Sequence, residues 1–521
     1  MTDAVYAFAA DEQPTFPGSP FAPRHPARRK IGYAAIALLV GLAATVGNAL
    51  VTVNLPTVAG TLGIDLVQAT WLSSIYVACN ASANLLLVRS RVAFGIPLVT
   101  RSLLVLYAAA AILEFALPGF ATAVLVRAAS GFAAAGLTTL TIYHLLQLLP
   151  QPKRPLGLCV GITLPQFGTP LARMVPVDLV ASYGGHGLQL IELALVLLVL
   201  AVTAALPLPP SRREPAFEPL DIATIALALP GLTMLCGALG AGRYGWWTDT
   251  RWIGGCLAGG IALLGAAVAV EHNRARPLLQ TRWLASGDMV RLLIVALLVR
   301  FALSEQTYGA IGVLSLGGLN NDQLHTLFAV VASAMLLGTA AAAFTLSVPR
   351  LPYQVAAAAT LIALGAWLDS GSTNLTRPGQ LYLSQGLLGF GACLFLGPAL
   401  LYGFIRVLQR GPAYLVSMVV VFSISQNVGG LLGSAVLGTY QIASAKEHAS
   451  ALAERLVVGD PQVAARIAAQ GPSALIAALQ REAAVLAFDD VFRAVALLAA
   501  AVAAWVLAMA AWKINAGRRT A

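Results

Sequence analysis

Long apolar stretches of this 521-residue chain are interrupted by ionisable side chains: the carboxyls of Glu114, Asp178, Glu192 and Glu305, and the guanidiniums of Arg127, Arg173, Arg291 and Arg300. A charge at the centre of a bilayer costs at least ~2.5–3.5 kcal/mol on insertion scales, so such a residue is a functional candidate by default. A carboxyl shielded from water can take up a proton on one side of a membrane and release it on the other. A guanidinium can neutralise a carboxylate or hold an anionic or zwitterionic ligand. Glu305 is the first candidate for proton carriage, because it stands in the polar run Ser304-Glu-Gln-Thr-Tyr308 as a cavity wall would. Its bland reading is an ion pair with an Arg from another helix. Arg300, five residues away, sits about 140° around the same helix, so the two do not pair within it. Glu192 and Glu114 are further proton-coupling candidates, and Asp178 reads as interfacial. Arg173 and Arg300, with Asn80, Asn84, Gln426 and Asn427, are candidate lining residues of a substrate cavity. The four amides have an alternative use as hydrogen bonds between helices, worth ~0.6 kcal/mol each.

The elements that carry these residues follow from hydropathy. The chain is 58% hydrophobic and only 10% charged, with mean hydropathy +0.80. A helix needs about 20 apolar residues to cross a bilayer, and its backbone bonds are satisfied internally. Spans are expected near 31–55, 69–88, 96–116, 120–148, 156–178, 187–206, 219–239, 252–271, 288–309, 323–346, 353–369, 379–403, 413–440 and 489–512, about 14 in all. The fold class is therefore an all-α polytopic membrane protein.

Basic residues alternate between loops. One set holds Arg24, Arg28, Arg29 and Lys30, then Arg89 and Arg91, Lys153 and Arg154, and Arg212 and Arg213. It continues with Arg274, Arg276, Arg282, Arg350, Arg406, Arg410, Lys513, Arg518 and Arg519, whereas the short loops of the other set offer only Arg243, Arg251 and Arg377. Positive charge stays inside, which places both termini in the cytoplasm. The net charge of +10 is thereby explained, and because it is spread over many loops it does not form a nucleic-acid surface. The first apolar run begins after about 30 polar residues and is too long for a cleavable signal, so it reads as a retained anchor. The tail from Met1 to about Pro26 is expected to be disordered. Cys79, Cys159, Cys236, Cys256 and Cys393 all fall within spans and read as small buried residues. His144 and His325 have no metal-ligand spacing. Between about Gln441 and Asp489 a long outer segment carries helical stretches at Lys446–Val457 and Pro472–Leu486, either a helical flap or a docking surface. The sequence holds no GxxxxGK[ST], HExxH or GxSxG motif, so an enzyme is not expected, nor is a cofactor or bound metal.

Several segments resemble the fourteen-span drug:proton antiporter branch of the major facilitator superfamily (the EmrB/QacA type). They are Asn54-Leu-Pro-Thr-Val-Ala-Gly-Thr-Leu-Gly63 with Gln68-Ala-Thr-Trp71, then Arg127-Ala-Ala-Ser-Gly131, and Glu271 with Arg276-Pro-Leu-Leu279. Asn427-Val-Gly-Gly430 with Gly433, and Ala487-Phe-Asp-Asp-Val-Phe492 at the start of the last span, complete the set. The resemblance implies a cytoplasmic tail over 1–30 and two six-helix bundles, 31–206 and 284–521. A linker over 207–283 carries two inserted helices, and the second bundle includes a periplasmic loop near 441–488. It also implies alternating access and proton-coupled export of small amphipathic molecules across a bacterial inner membrane. The lipid bilayer, a small-molecule substrate and protons are then the partners, and a periplasmic adaptor protein with an outer-membrane channel are candidate partners.

The departures are specific. The family's acid in span 1 is replaced by Gly47, next to Asn48. The inner loop Val88–Gly95 keeps two Arg residues and a Gly but no acid. In span 5 Gly161 and Gly168 are kept, the prolines are displaced to Pro165 and Pro170, and Arg173 stands where small residues are usual. Gln426 replaces the family's Arg in span 13. Arg127 matches the family's span 4 Arg, thought to influence proton movement; without the span 1 acid, Glu192 or Glu114 is its alternative partner. The alternatives to proton-coupled export are a proton-independent facilitator or exporter of a specific metabolite, and a non-transporting membrane subunit of the same fold.

Overall fold

A computed structural model describes residues 9, 12–14, 18–214, 216–457 and 459–520. Those residues are almost wholly helical. The first helices are α1 (Ala27–Val53), α2 (Leu55–Leu62), α3 (Leu66–Phe94), α4 (Ile96–Ala116) and α5 (Phe120–Leu146). Next come α6 (Arg154–Thr163), α7 (Gly168–Arg173), α8 (Val177–Gly185), α9 (Gly187–Ala205), α10 (Pro219–Ala241), α11 (Arg251–His272) and α12 (Thr281–Leu284). The remainder are α13 (Gly287–Ala302), α14 (Ala310–Leu316), α15 (His325–Phe344), α16 (Leu351–Asp369), α17 (Tyr382–Arg410), α18 (Leu415–Glu454), α19 (Pro461–Gln470) and α20 (Pro472–Thr520).

Among the described residues twelve helices are long and apolar enough to span a bilayer, not the fourteen expected. The two shortfalls are local. The expected span 156–178 is broken: α6 gives way to a 3-10 turn at Leu164–Phe167 and restarts as α7. Pro165 and Pro170 lack the N–H that would continue the ladder, and Thr45 Oγ1 caps the freed Pro165 carbonyl. The expected span 288–309 is interrupted by a π-helical turn at Glu305–Gly309 between α13 and α14. The extra residue widens the turn there, a device frequent at functional sites.

The chain forms two compact units. The first comprises Met1–Ala296, Thr339–Leu351 and Leu396–Val428; the second comprises Leu297–Gly338, Pro352–Phe395 and Gly429–Ala521.

In the first unit α1, α4, α5 and α9 close on a core of Tyr33, Val40, Leu104, Val126, Leu137, Leu140, Val196 and Val199. Gly131 allows α5 to meet α3 backbone to side chain: a Cβ there would lie 2.6 Å from the Tyr76 carbonyl. Helices α10 and α11 are tied down by charge. Arg274 reaches Glu271 at 2.7 Å and both Glu218 and Asp221 at 2.9 Å, while Arg89 meets Asp221 at 2.9 Å. Burial opposes the Arg274 charge, but the hydrogen bonds it donates to Glu271, Asp221 and Glu218 prevail and hold its pKa above the ordinary guanidinium value. Glu271 also accepts from the backbone N–H groups of Leu278 and Leu279 (2.5 and 3.0 Å), which explains why an acid and a Pro-Leu-Leu run belong together.

The expected disorder of residues 1–26 falls partly outside the described residues. Where the segment is described it is a strap on the first unit. Phe21 N–H donates to the Pro210 carbonyl, the Phe21 carbonyl accepts from Gln147, and His25 Nε2 lies 2.9 Å from Gln147 Oε1. These bonds satisfy backbone groups that a disordered tail would leave to water.

In the second unit the segment expected as a long outer loop is mostly helix. The 40 residues of α18 rise about 60 Å, twice the span of a hydrocarbon core, so the helix continues well past it. Helix α20 does the same from Pro472. The expected helical stretches at Lys446–Val457 and Pro472–Leu486 are parts of these extensions. The exposed α19, capped by Asp460, lies between them. Phe488 and Phe492 of α20 pack on Val313, and Phe492 fits against Gly309, where a Cβ would lie 2.7 Å from its ring.

Candidate functional site

Besides the Arg274 cluster, each unit buries a group of ionisable side chains among the described residues that includes a candidate from the sequence. In the first, Arg127 on α5 forms a salt bridge with Glu192 on α9, and Tyr107 on α4 donates its hydroxyl to the other oxygen of the same carboxylate. Arg127 is 3% exposed and Glu192 3% exposed, so the pair is fully desolvated. Of the two alternative partners for Arg127, Glu192 is the one bound. Gly47 explains how this fits: a Cβ at that position would lie 3.0 Å from Tyr107 Oη and 3.4 Å from Glu192 Oε1. The carboxylate that the resemblance places on the first span is here delivered to the same spot from α9.

Arg127 Nη1 is buried with no hydrogen-bond partner. A cavity of about 40 Å³ reaches it, lined also by Glu114, Gln189, Glu192, Thr57 and Thr61 and walled by Val51, Leu72, Val180 and Leu188. A site for a water needs roughly 10–15 Å³, whereas a drug-sized pocket runs to about 300–1,000 Å³. This cleft fits a few waters, not a drug. Glu114 is buried at its wall. Asp178 is exposed on α8.

The second unit holds a different arrangement. Glu305 is completely buried at the start of the π turn, and Asp369, at the C-terminal end of α16, is 1% exposed. Gln385 on α17 joins them through one amide nitrogen, which donates to Glu305 Oε1 at 3.1 Å, Glu305 Oε2 at 3.3 Å and Asp369 Oδ2 at 2.6 Å. Among the described residues neither carboxyl forms an ion pair, so the expected bland reading of Glu305, an Arg from another helix, is not realised. Two buried anions around one neutral amide, without a cation among the described residues, are costly. A single proton shared by the pair removes one charge and lets one carboxyl donate to the other, the logic of any close carboxyl dyad.

Arg300 belongs to α13 of the second unit and lies along Gly429 and Gly430 of α18, where a Cβ at 430 would lie 3.0 Å from its Nη2. The glycines give the guanidinium room. Arg173 is largely buried at the end of α7. Arg291 is half exposed, with Asp288 3.8 Å away. The four candidate amides are used between elements of the first unit. Asn84 donates to Ser423 Oγ at 3.1 Å and Asn427 to Asn80 Oδ1 at 3.1 Å, joining α3 to α18. Gln426 reaches the Ala296 carbonyl at 3.5 Å. Each of the four thus has a hydrogen-bond partner on another helix. His144 is a buried structural side chain on the Leu140 carbonyl at 2.8 Å.

Sequence reasoning missed Asp369 and Gln385. Asp369 closes an apolar run and reads as a boundary residue, and Gln385 lies in a span whose composition hides its direction. An acid at a span end with a Gln one span later was the only signal.

No protein-family model matches the chain, and no curated protein sequence matches it. Solved structures do. The human organic anion transporter MFSD10 (TETRAN) is 15% identical, with a TM-score of 0.53 over 91% of this chain and 100% of its own. The tetrameric PepTSo2 structure is 14% identical, with a TM-score of 0.53 over 94% of this chain and 100% of its own. The major facilitator superfamily proton:xylose symporter XylE aligns more loosely, at 12% identity and a TM-score of 0.47 over 91% and 95%.

Proposed function

We propose that this chain, which has the major facilitator fold, is a proton-coupled membrane transporter that exports small amphipathic molecules by alternating access. The observation that carries the reading is the Glu305–Asp369 pair: two buried carboxyls on one amide, without a cation, on a π turn. With one proton shared, the pair carries a single negative charge held by the Gln385 amide, which a dry interior tolerates far better than two. On losing its proton it holds two like charges, which favours a conformation that admits water to it. Gln385 keeps both oxygens oriented through either state. The π turn gives α13 and α14 a place to flex without losing their packing on Phe488 and Phe492.

Glu114, at the wall of the small cleft, is a lesser proton-coupling candidate, and Glu192, already held by Arg127 and Tyr107, serves in this reading as the anion that keeps Arg127 in place. Export, the drug-antiporter branch and the two six-helix bundles around an inserted pair are supported by the motif resemblance. The bacterial inner membrane with cytoplasmic termini is supported by the basic loops, and a periplasmic adaptor with an outer-membrane channel by the extended α18–α20 segment. The fold shared with a transporter named for organic anions supports a small organic substrate. The test uses everted membrane vesicles with ethidium as probe: energised accumulation should stop when nigericin collapses the pH gradient. Accumulation that ignores the collapse contradicts proton coupling.

A further inference from the structure

Asp489 and Asp490 open the last apolar stretch and take no part in the sites above. Successive residues on a helix point about 100° apart, and these two face different surroundings. Asp490 looks outward. It accepts from Ser444 Oγ at 2.5 Å, lies 2.7 Å from His448 Nε2 on α18, and has Arg493 Nη1 3.6 Å away. Asp489 looks inward. It is 7% exposed, and its Oδ1 is buried with no hydrogen-bond partner. Its carboxylate accepts from the backbone N–H of Ser372, and that same N–H lies 3.0 Å from the carbonyl of Asp369. Only the turn from Asp369 to Ser372 separates it from the buried pair. The charged groups around Asp489 are Arg493 and Asp490 on its own helix and His448 on α18. A buried carboxylate oxygen without a donor is costly as an anion and is relieved when the group takes a proton.

We propose that Asp489 is a proton relay that supplies the Glu305–Asp369 pair from the His448–Asp490 surface. This rests on the proton-carrier reading of that pair. The step moves one proton and nothing else. Hydronium, or His448 when protonated, gives a proton to the Asp489 carboxylate. Asp489 then passes it, directly or through one water, to Asp369, and returns to its anionic form.

The first test needs no variant: the purified full-length protein is treated with dicyclohexylcarbodiimide, which modifies protonated carboxyls in apolar surroundings, and the adducts are mapped by peptide mass spectrometry. Asp489 should be modified near neutral pH, together with Glu305 or Asp369, and Asp490 should not. Modification of the pair without Asp489 at any pH overturns the relay and leaves the carrier reading standing; modification of none of the three overturns both. The second test is Asp489→Asn in vesicles with ethidium. Gradient-driven transport should slow by roughly tenfold or more at neutral pH, because one positioned proton-transfer group is lost. It should recover as the pH on the proton-supplying side is lowered by one unit, with Asp489→Glu restoring the neutral rate. A loss that acid does not relieve, or no loss at all, overturns the relay.

Discussion

The two units bury charge to the same depth and solve the problem differently. In the first, Glu192 has a guanidinium and a phenol on it, and the cluster is neutral as built. In the second, Glu305 and Asp369 have one amide between them and need a shared proton to shed one of their two charges. Burial therefore does not identify the working group. The charge partner does: an acid already compensated by Arg has little reason to exchange protons while its partner stays, and an acid compensated only by a proton must exchange one whenever water reaches it.

The contrast is broken most severely by removing the cation. Arg127→Leu strands the Glu192 carboxylate in a dry interior and should cost about 3–5 kcal/mol, read as a large fall in the thermal unfolding midpoint in detergent. Arg127→Leu with Glu192→Leu should regain most of it. Glu305→Gln, by contrast, is expected to leave that midpoint within the range of ordinary surface changes, about 0.5 kcal/mol, because an amide stands in for a protonated acid. If Glu305→Gln destabilises as much as Arg127→Leu, the acid is a structural anion and the contrast is wrong.

A packing change should rank next. Gly131→Ala drives a Cβ into the Tyr76 carbonyl and should cost about 1–3 kcal/mol by overpacking the α3–α5 contact beside Arg127, measured by the same unfolding assay. Gln385→Leu removes the donor shared by both carboxyls while leaving them buried. It should cost about 1–3 kcal/mol as well, and the loss should shrink when Asp369→Asn is added.

The smallest effect is at His25 in the strap of the first unit. Burial, then the charges of Arg29 and Lys30, outweigh the hydrogen bond to Gln147 and hold its pKa below the ordinary value of 6.5. A lowered folded pKa means the docked strap disfavours the proton. Its contribution is complete above the unfolded pKa and fades as pH falls through the folded one. Proteolysis after Arg24 should accelerate in acid, and His25→Gln should flatten that response.

Much of this was legible in the sequence. Hydropathy placed the helices because the bilayer sets one length for all of them. The candidate acids were found because ionisable groups are rare in apolar runs, and the candidate partners of Arg127 included the right one. What was hidden is where helix geometry departs from the regular repeat. Pro165 and Pro170 were seen, yet hydropathy averages across a break. The π turn at Glu305–Gly309 leaves no compositional trace. Asp369 and Gln385 meet Glu305 only through the packing of α16 and α17, which no spacing along the chain encodes. For the candidate amides both uses stayed open in the sequence, because a polar side chain in a span does not reveal whether its partner is a ligand or another helix.

The central claim is that proton exchange belongs to the uncompensated pair. Its most direct test is proton movement into proteoliposomes, read by an entrapped pH dye while an ethidium gradient is imposed across the membrane. The account predicts ethidium-linked proton movement in the wild type and its loss in Glu305→Gln and in Asp369→Asn, with protein still folded. Undiminished proton movement in both variants would contradict it.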